Sequence, residues 1–415
     1  MPGPARSIRW CGSVGVVVCA LVLAPRIAAA PPQGSDAVVP FTIRVPNDVL
    51  VDLKHRLSHP RFPDELSGAA WDYGTNLEYL RGLVAYWRDR FDWRAQERRL
   101  NQLPQFKTNV DGLDIHFAHR RSTQPGALPL VMIHGWPGSF LEFVTISDYL
   151  ADPVAHGGRA EDAFHVVAVS LPGYGFSDKP RDRGFSPERM ARAIATVMSR
   201  LGYTRYGVQG GDWGSVVGRM MAVHDEAHVA GLHANFCTQG PPPGTADPNA
   251  GVDPDDLQRV RQRQASMQNE LAYFQIQSTK PQTLAYGLND SPIGLAAWIV
   301  EKFRSWCDCD GDVEKKFTKD DLLTNITLYW ATQSIASSTR IYYENQRAAT
   351  PLPRVEVPMA CALFPKDIVF STRRWTEAQN NLVRWTVMPR GGHFAAMEEP
   401  DLLARDIREF FRSLR

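Results

Sequence analysis

The sequence predicts an α/β fold in which helices cover both faces of a mainly parallel sheet. From about residue 116, short apolar runs such as LPLVMIHG, HVVAVSLPG and RYGVQGG alternate with helix-like stretches such as PERMARAIATVMSRLG. This alternation is typical of a parallel sheet whose strands are buried on both sides. It spans residues 116–254, stops over a block of helical patterns at 255–352, and resumes at 353–415 with VPMACALFP and VRWTVMPRGG. We therefore expect one α/β core interrupted by a helical cap.

Residues 31–115 precede the alternating pattern and differ from it. They are dense in tryptophan and tyrosine, as in WDYG and YWRDRFDW. Apolar spacings of three and four predict a helix after Asn47 and Asp48. We expect this segment to form a helical and irregular domain that wraps around another part of the protein.

The bulk composition excludes several classes of partner. The chain has 415 residues, 22% of them charged, and a net charge of +1. A near-neutral balance gives no electrostatic basis for binding nucleic acid. We find no Cys/His cluster with metal-ligand spacing and no glycine-rich phosphate loop, so the sequence implies no metal and no organic cofactor.

The N-terminal 30 residues have the pattern of a secretory signal peptide. Arg6 and Arg9 precede an apolar run at 11–24, and AAAPP follows. The run is shorter than the ~20 residues that a spanning helix needs. We expect export with cleavage after about Ala30; the alternative is an uncleaved membrane anchor, and membrane contact is expected only in that case.

The cysteine content does not predict a disulfide scaffold. Cys237, Cys307, Cys309 and Cys361 remain after the N-terminal segment. Cys361 lies in the apolar run MACALF, which predicts a buried side chain that packs as a small hydrophobic residue. Cys307 and Cys309 are separated by one residue, a poor spacing for a mutual disulfide. We interpret WCDCDGD as a polar surface loop.

A candidate nucleophile lies in the stretch GVQGGDWGS at 207–215. A short apolar run enters Gly-Gly-Asp-Trp-Gly, and a helix-like run follows. This is the turn of the G-x-nucleophile-x-G type, with Asp212 where serine is usual. A carboxylate can attack an electrophilic carbon and form an alkyl ester, which water must then cleave.

The C-terminal part supplies a base and an acid for that second step. His393 follows two glycines in PRGGHFAAMEEP, and Asp367 follows the apolar run ACALF. The chain order of nucleophile, acid and histidine is that of α/β-hydrolases. Glu356 and Glu398 are alternative acids, but one precedes its strand and the other begins the last helical pattern.

Two loops complete the predicted site. In IHGWPGS, glycines leave backbone N–H groups accessible, and the N–H groups of Trp136 and Trp213 are candidates for an oxyanion hole. We place four further residues of this loop and of LPGYGFSDKP at the substrate pocket: His134, Gly135, Pro137 and Tyr174. We also expect the His134 side chain to support the HGWP turn.

These motifs together resemble the microsomal-type branch of the epoxide hydrolases, within the α/β-hydrolase superfamily. The similarity covers nearly everything after residue 40 and includes WDYG, LNQLPQFKTNVDGLDIHF, HGWPGS, GGDWGS, LNDSPIGLAAWI, LLTNITLYW and RGGHFAAMEEP in order. The resemblance implies an α/β-hydrolase fold with a helical cap and an extra N-terminal domain. It also implies hydrolysis of an epoxide to a diol, and the role in xenobiotic detoxification that is associated with this branch.

The resemblance also implies roles for individual residues. Asp212 is the nucleophile, His393 the base and Asp367 the acid, where many relatives have Glu. Two cap tyrosines that hydrogen-bond the epoxide oxygen match Tyr273 and Tyr342, although Tyr343 is adjacent and equally compatible with the pattern. A phenol is suited to this task because it can donate a proton to the alkoxide that ring opening creates.

Other functions remain as alternatives on the sequence alone. A haloalkane dehalogenase uses the same Asp, His and acid, and a non-catalytic binding protein can retain the fold. Two cap tyrosines favour an epoxide, because a halide leaving group needs no proton. Aromatic content suggests an apolar pocket, so the expected partners are a small lipophilic epoxide and water.

Overall fold

The computed structural model describes residues 36–348 and 353–415, together with Met1 and Gly3. The predicted signal peptide or anchor at 1–30 therefore lies outside the described residues, apart from Met1 and Gly3. Within the described ranges, every helix is too short or too polar to cross a membrane.

A sheet of nine strands forms the centre of the fold, in the order β1-β2-β3-β5-β4-β6-β7-β8-β9. The first four strands in that order pair antiparallel, and all later neighbours pair parallel. The strands are β1 (Val39–Phe41), β2 (Gln105–Val110), β3 (Leu113–Arg120), β4 (Leu128–Ile133), β5 (Phe164–Val169), β6 (Tyr206–Gly210), β7 (Val229–Ala234), β8 (Val355–Leu363) and β9 (Asn380–Val387).

Helices precede, cover and interrupt this sheet. Three belong to the N-terminal segment, six lie between β7 and β8, and the rest alternate with or follow the strands. They are α1 (Asn47–Ser58), α2 (Leu77–Asp89), α3 (Trp93–Leu100), α4 (Val144–Ala151), α5 (Pro187–Arg200), α6 (Trp213–His224), α7 (Pro254–Met267), α8 (Ala272–Thr279), α9 (Pro281–Asp290), α10 (Pro292–Trp306), α11 (Lys319–Thr332), α12 (Ile335–Arg347), α13 (Arg373–Gln379), α14 (Ala395–Glu398) and α15 (Pro400–Phe411).

The central strands divide the apolar core into two clusters, one on each face of the sheet. In β4, Val131 and Ile133 belong to one cluster, whereas Leu130 and Met132 belong to the other. Successive side chains of a strand point to opposite faces, so a strand buried on both faces must be apolar throughout. This is why LPLVMI reads as a continuous apolar run.

The N-terminal segment is less irregular than the sequence predicts, because two of its pieces are strands. β1 and β2 extend the sheet by antiparallel pairing with each other and with β3. The helices between them contact the cap: the Trp87 indole N–H donates to Thr327 Oγ1 of α11 at 3.0 Å. Thr75 Oγ1 donates to the Ala297 carbonyl of α10 at 2.7 Å. The segment therefore joins the core sheet to the cap.

Two long helical patterns of the cap are broken where the sequence shows no proline. The pattern from Asp255 to Ser278 divides into α7 and α8, with a turn between them. The last pattern of the cap, LLTNITLYWATQSIASSTRIYYENQ, divides into α11 and α12 at Gln333, whose φ is +50°. These breaks turn α8 and α12 over the carboxyl ends of the parallel strands, where loops carry the candidate functional residues.

Candidate active site

Asp212 occupies the sharp turn between β6 and α6. Its backbone has φ +48° and ψ −131°, a conformation that costs a non-glycine residue about 1–3 kcal/mol. Glycine is required at Gly210 and Gly214 because neighbouring backbone lies too close to leave room for a side chain. A Cβ on Gly210 would lie 2.2 Å from the Gly214 carbonyl oxygen, and one on Gly214 would lie 1.8 Å from the Ile133 carbonyl oxygen. The turn therefore projects the Asp212 carboxylate beyond the carboxyl end of the sheet.

The loops after β8 and β9 bring an acid and a histidine to this carboxylate. His393 Nδ1 lies 2.7 Å from Asp367 Oδ1, which also accepts the N–H of Ile368 at 2.6 Å. His393 Nε2 lies 3.4 Å from Asp212 Oδ2. The side chains of His393 and Asp367 are each 3% exposed. The structure thus places the acid, the imidazole and the Asp212 carboxylate in one row, in which the first two are buried and the Asp212 side chain is 13% exposed.

The electrostatics of this row hold a proton on the imidazole. Burial by itself lowers the pKa of His393. The negative charges of Asp367 and Asp212, and the hydrogen bonds to them, outweigh this effect and raise the pKa to about 10. Esterification of Asp212 removes one of those charges. The pKa of His393 must then fall, which favours the neutral form that a base requires.

The HGWP loop places a backbone donor on the Asp212 carboxylate. The N–H of Trp136 donates to Asp212 Oδ1 at 2.8 Å. This approach depends on Gly135, since a Cβ there would lie 2.0 Å from the same oxygen. Trp213 begins α6, and the first N–H groups of a helix have no intrahelical acceptor. Oδ1 is thereby held at the loop, while Oδ2 remains beside His393.

A cavity of about 950 Å³ opens between the cap and this row. Asp212 and Trp213 lie in its wall, together with Tyr273 of α8 and Tyr342 of α12. Its surface is mainly apolar and includes Val216, Phe236, Met267, Phe274, Ile368 and Phe370. A cavity of this size and character suits a lipophilic small molecule.

The two tyrosines are held in place by tryptophans from both loops of the site. Tyr273 stacks on Trp136 with ring centroids 5.4 Å apart, and Tyr342 meets Trp213 edge to face at 4.8 Å. Burial raises the pKa of both phenols, so both keep their protons at neutral pH. Tyr342 Oη has no hydrogen-bond partner among the described residues, which leaves it free to donate to a ligand.

The structure distinguishes Tyr342 from its neighbour. Tyr342 is 1% exposed and lines the cavity beside Asp212. Tyr343 is half-buried, and the Arg347 guanidinium carbon lies 3.4 Å from its ring centroid. Tyr343 is not part of the cavity wall. The helix phase therefore points only Tyr342 at the site.

The four predicted pocket residues of the two loops do not line the large cavity. His134 is buried, and its Nε2 accepts the N–H of Leu171 at 3.2 Å, so it supports the turn. Tyr174 is buried and donates to the Ser338 carbonyl at 2.9 Å. The Pro137 carbonyl accepts a hydrogen bond from the Asn325 side chain. Gly135 packs on the Asp212 side chain. Tight packing of these loops leaves the large cavity to the cap residues.

Cys361 is buried, as predicted, but the described residues contain two disulfides that the sequence analysis did not predict. Cys237 pairs with Cys361, with Cα atoms 6.3 Å apart. Cys307 pairs with Cys309 across a turn after α10, with Cα atoms 5.3 Å apart. Both distances lie in the usual range for a disulfide. The second pair is buried rather than exposed.

No group of three or more His, Cys, Asp or Glu in the described ranges is placed to hold a metal ion.

Glu398 has a role near the site that the sequence analysis missed. Its Oε2 accepts the backbone N–H groups of Asp308 at 2.8 Å and Gly392 at 3.0 Å, and its Oε1 accepts that of Phe394 at 2.9 Å. Glu398 is thus not the acid of the row but a clamp on the loop that carries His393. The only signal for this role in the sequence is a glutamate five residues after the candidate histidine.

Comparison with known proteins identifies the family of this chain. The family described as "Epoxide hydrolase N terminus" matches residues 38–143, and that described as "alpha/beta hydrolase fold" matches residues 129–284. A protein of Stigmatella aurantiaca named as an epoxide hydrolase is 46% identical over 91% of this chain and 86% of its own length. The chain belongs to the epoxide hydrolase family. Epoxide hydrolase 1 of Oryctolagus cuniculus is 40% identical over 90% of this chain and 89% of its own length.

Solved structures of the family share the whole architecture. The juvenile hormone epoxide hydrolase from the silkworm Bombyx mori has a TM-score of 0.84 at 33% identity, covering 92% of this chain and 95% of its own. The Aspergillus niger epoxide hydrolase has a TM-score of 0.82 at 34% identity, covering 93% and 98%. The resemblance inferred from the sequence motifs and the predicted α/β-hydrolase fold are thereby confirmed.

Proposed function

We propose that this chain hydrolyses lipophilic epoxides to vicinal diols through an ester on Asp212. The observation that carries the proposal is the position of two protonated phenols, Tyr273 and Tyr342, in the same apolar cavity as a carboxylate that is paired with His393. A nucleophile, a proton donor for the leaving oxygen and a base for water are the three groups that the reaction requires.

The first step is alkylation of Asp212. Trp136 holds Oδ1, so Oδ2 attacks a ring carbon of the epoxide. The carbon–oxygen bond of the strained ring breaks, and its electron pair goes to the ring oxygen. Tyr273 and Tyr342 hydrogen-bond that oxygen as negative charge develops, and one of them transfers a proton to it. The product of this step is a hydroxyalkyl ester. His393 loses its proton as its pKa falls, and a proton returned through solvent restores the tyrosine hydroxyl, so the balance of protons is kept.

The second step is hydrolysis of that ester. Neutral His393 takes a proton from water through Nε2, while Asp367 holds the opposite nitrogen at 2.7 Å. The water oxygen attacks Cγ of Asp212, and charge develops on Oδ1. The N–H of Trp136 already lies 2.8 Å from this oxygen and stabilises it, and we assign the N–H of Trp213 to the same role. Collapse breaks the Cγ–Oδ2 bond, and the departing alkoxide, which carries Oδ2, takes the second proton of the attacking water and leaves as the diol. The water oxygen stays in the Asp212 carboxylate, and His393 is again protonated, as in the free enzyme.

The leaving group distinguishes this function from haloalkane dehalogenation. Both reactions pass through an ester on an aspartate, but a departing halide needs no proton and an alkoxide does. Tyr342 Oη has no hydrogen-bond partner among the residues that the structure describes, so it is available to an acceptor on the ligand. This hydroxyl therefore favours an epoxide oxygen as the group that it meets.

The test compares the two leaving groups directly. We expect the purified protein to convert styrene oxide to its diol and to release no bromide from 1-bromobutane. In a His393→Gln variant, the ester should accumulate, so that mass spectrometry finds a hydroxyalkyl adduct on the Asp212 peptide after an acid quench. Bromide release without diol formation would contradict the proposal and identify a dehalogenase.

We further propose that the protein is exported and acts on foreign lipophilic epoxides. The N-terminal pattern at 1–30 supports export. Two disulfides in the folded chain support it as well, because disulfides persist mainly in oxidising compartments. N-terminal sequencing of the mature protein should begin near Pro31. An intact Met1 in the membrane fraction would instead establish an anchored protein in contact with the membrane.

A further inference from the structure

A buried lysine lies against one of the two cavity tyrosines. Lys302 belongs to α10, and 7% of its side chain is exposed. Its Nζ lies 4.9 Å from the ring centroid of Tyr273 and 5.7 Å from that of Trp306. Lys302 does not line the substrate cavity itself. It therefore brings a positive charge to the side of Tyr273 that the substrate does not touch.

Two carboxylates hold the Lys302 ammonium in this position. Its Nζ lies 2.5 Å from Glu301 Oε2 on the same helix and 3.4 Å from Glu270 Oε2 in the turn before α8. Removing a lysine and two carboxylates from water costs about as much free energy as their attraction returns, so a buried ion pair is weak evidence for a role in stability. The geometry instead fixes the ammonium at the ring of Tyr273.

A cation at this place matters when the phenol of Tyr273 gives up its proton. A neutral ring attracts a cation through its quadrupole, whereas a phenolate attracts it through a full negative charge. Burial and the charge of Asp212 raise the pKa of Tyr273, and the charges of Glu270 and Glu301 raise it further. All of these effects oppose the phenolate, and the Lys302 ammonium stabilises it.

The second tyrosine of the cavity has different surroundings. Among the described residues, the lysines and arginines that lie over aromatic rings include one on Tyr273 and none on Tyr342. Burial raises the pKa of Tyr342, and the charges of Tyr273 and Asp212 add to this effect. The two phenols therefore differ in how readily each can carry a negative charge.

We propose that Lys302 is a positioning residue for the alkylation step, and that it makes Tyr273, rather than Tyr342, the tyrosine that transfers its proton to the ring oxygen. The inference deepens the proposed function and rests on it. As the ring carbon–oxygen bond breaks, the Tyr273 O–H bond breaks and its proton goes to the ring oxygen. The electron pair of that O–H bond stays on the phenolate beside the ammonium. Tyr342 keeps its proton and donates a hydrogen bond to the same oxygen.

The variant Lys302→Met removes the charge and keeps an unbranched, flexible side chain. Under single-turnover conditions with styrene oxide, rapid quench and mass spectrometry follow the formation and loss of the Asp212 adduct separately. We expect the maximal rate of adduct formation to fall roughly 10- to 30-fold, the usual effect of a desolvated cation on an aromatic ring. The substrate concentration at half-maximal rate and the hydrolysis of the adduct should stay unchanged, because Lys302 does not line the substrate cavity.

Variants that lack one phenol separate an effect through Tyr273 from a structural effect. Lys302→Met should slow adduct formation by the same factor in a Tyr342→Phe background as in the wild-type protein. In a Tyr273→Phe background it should cause no further slowing, since no phenolate forms there. An equal slowing in both backgrounds, or wild-type adduct formation in Lys302→Met alone, would overturn the inference. Failure of the proposed function is a different result, in which no Asp212 adduct forms even in the wild-type protein or in His393→Gln.

A variant that leaves Lys302 in place tests the same inference with the opposite sign. Glu270→Gln removes one of the charges that oppose the phenolate, so we expect adduct formation to become about twofold faster. If the ion pair served only to hold the cap together, its loss would slow adduct formation, and that result would overturn the inference. Lys319→Met is the matched control, because Lys319 pairs with Glu314 at 2.5 Å elsewhere in the cap. It should leave both steps unchanged.

Discussion

Replacing Tyr342 with phenylalanine should slow the chemistry and stabilise the fold. Tyr342 is 1% exposed, and its Oη has no hydrogen-bond partner among the described residues. An unsatisfied buried hydroxyl costs about 1–3 kcal/mol, so we expect its removal to raise the free energy of unfolding by about 1 kcal/mol. In a chain of this length, that corresponds to about 1–2 °C in Tm. Loss of one donor to the alkoxide should lower the rate of Asp212 alkylation by about 100-fold.

The matched control is Tyr174→Phe. Tyr174 is equally buried, but its hydroxyl donates to the Ser338 carbonyl at 2.9 Å. We expect this variant to lose about 1 kcal/mol of stability and to keep its alkylation rate within about threefold. Calorimetry and single-turnover kinetics measure both quantities. An unchanged alkylation rate in Tyr342→Phe, or a loss of more than about 1 kcal/mol of stability, would refute the reasoning.

Three other predictions concern the row of catalytic groups. Gly135→Ala should abolish adduct formation, because its Cβ would lie 2.0 Å from Asp212 Oδ1; a variant with wild-type rates would show that the loop yields. Hydrolysis of the adduct should speed up as pH rises, since His393 must be neutral to act, and the pH of half-maximal rate should lie below the pKa of about 10 in the free enzyme; a rate that falls between pH 6 and 9 would contradict this. Glu398→Gln should slow hydrolysis about 10-fold and lower stability by about 2 kcal/mol, because two N–H groups share one of its oxygens; unchanged hydrolysis would show that the clamp does not position His393.

The sequence predicts those residues and elements whose position follows from a local pattern. Asp212 lies between glycines at a junction of strand and helix, and buried strands are recognisable from continuous apolar runs such as LPLVMI. The order of the central elements followed from this alternation. β1 was missed because it has only three residues and pairs with β2, which is distant in the chain. β2 was missed although Asp111-Gly112, which joins it to β3, is a known signal for a hairpin turn.

What the sequence could not predict depends on long-range geometry. Cys237 and Cys361 are 124 residues apart, and their pairing follows only from the neighbouring positions of β7 and β8. The choice between Tyr342 and Tyr343 depends on the phase of α12 relative to the core.

The most direct test of the ester mechanism is a single turnover in water labelled with oxygen-18. Enzyme in excess over styrene oxide is quenched after one turnover, digested and analysed by mass spectrometry together with the diol. The mechanism predicts label in the Asp212 peptide and none in the diol, because the water oxygen stays in the carboxylate. Label in the diol and none at Asp212 would mean that water attacks the epoxide directly, and would contradict the assignment of Asp212 as the nucleophile.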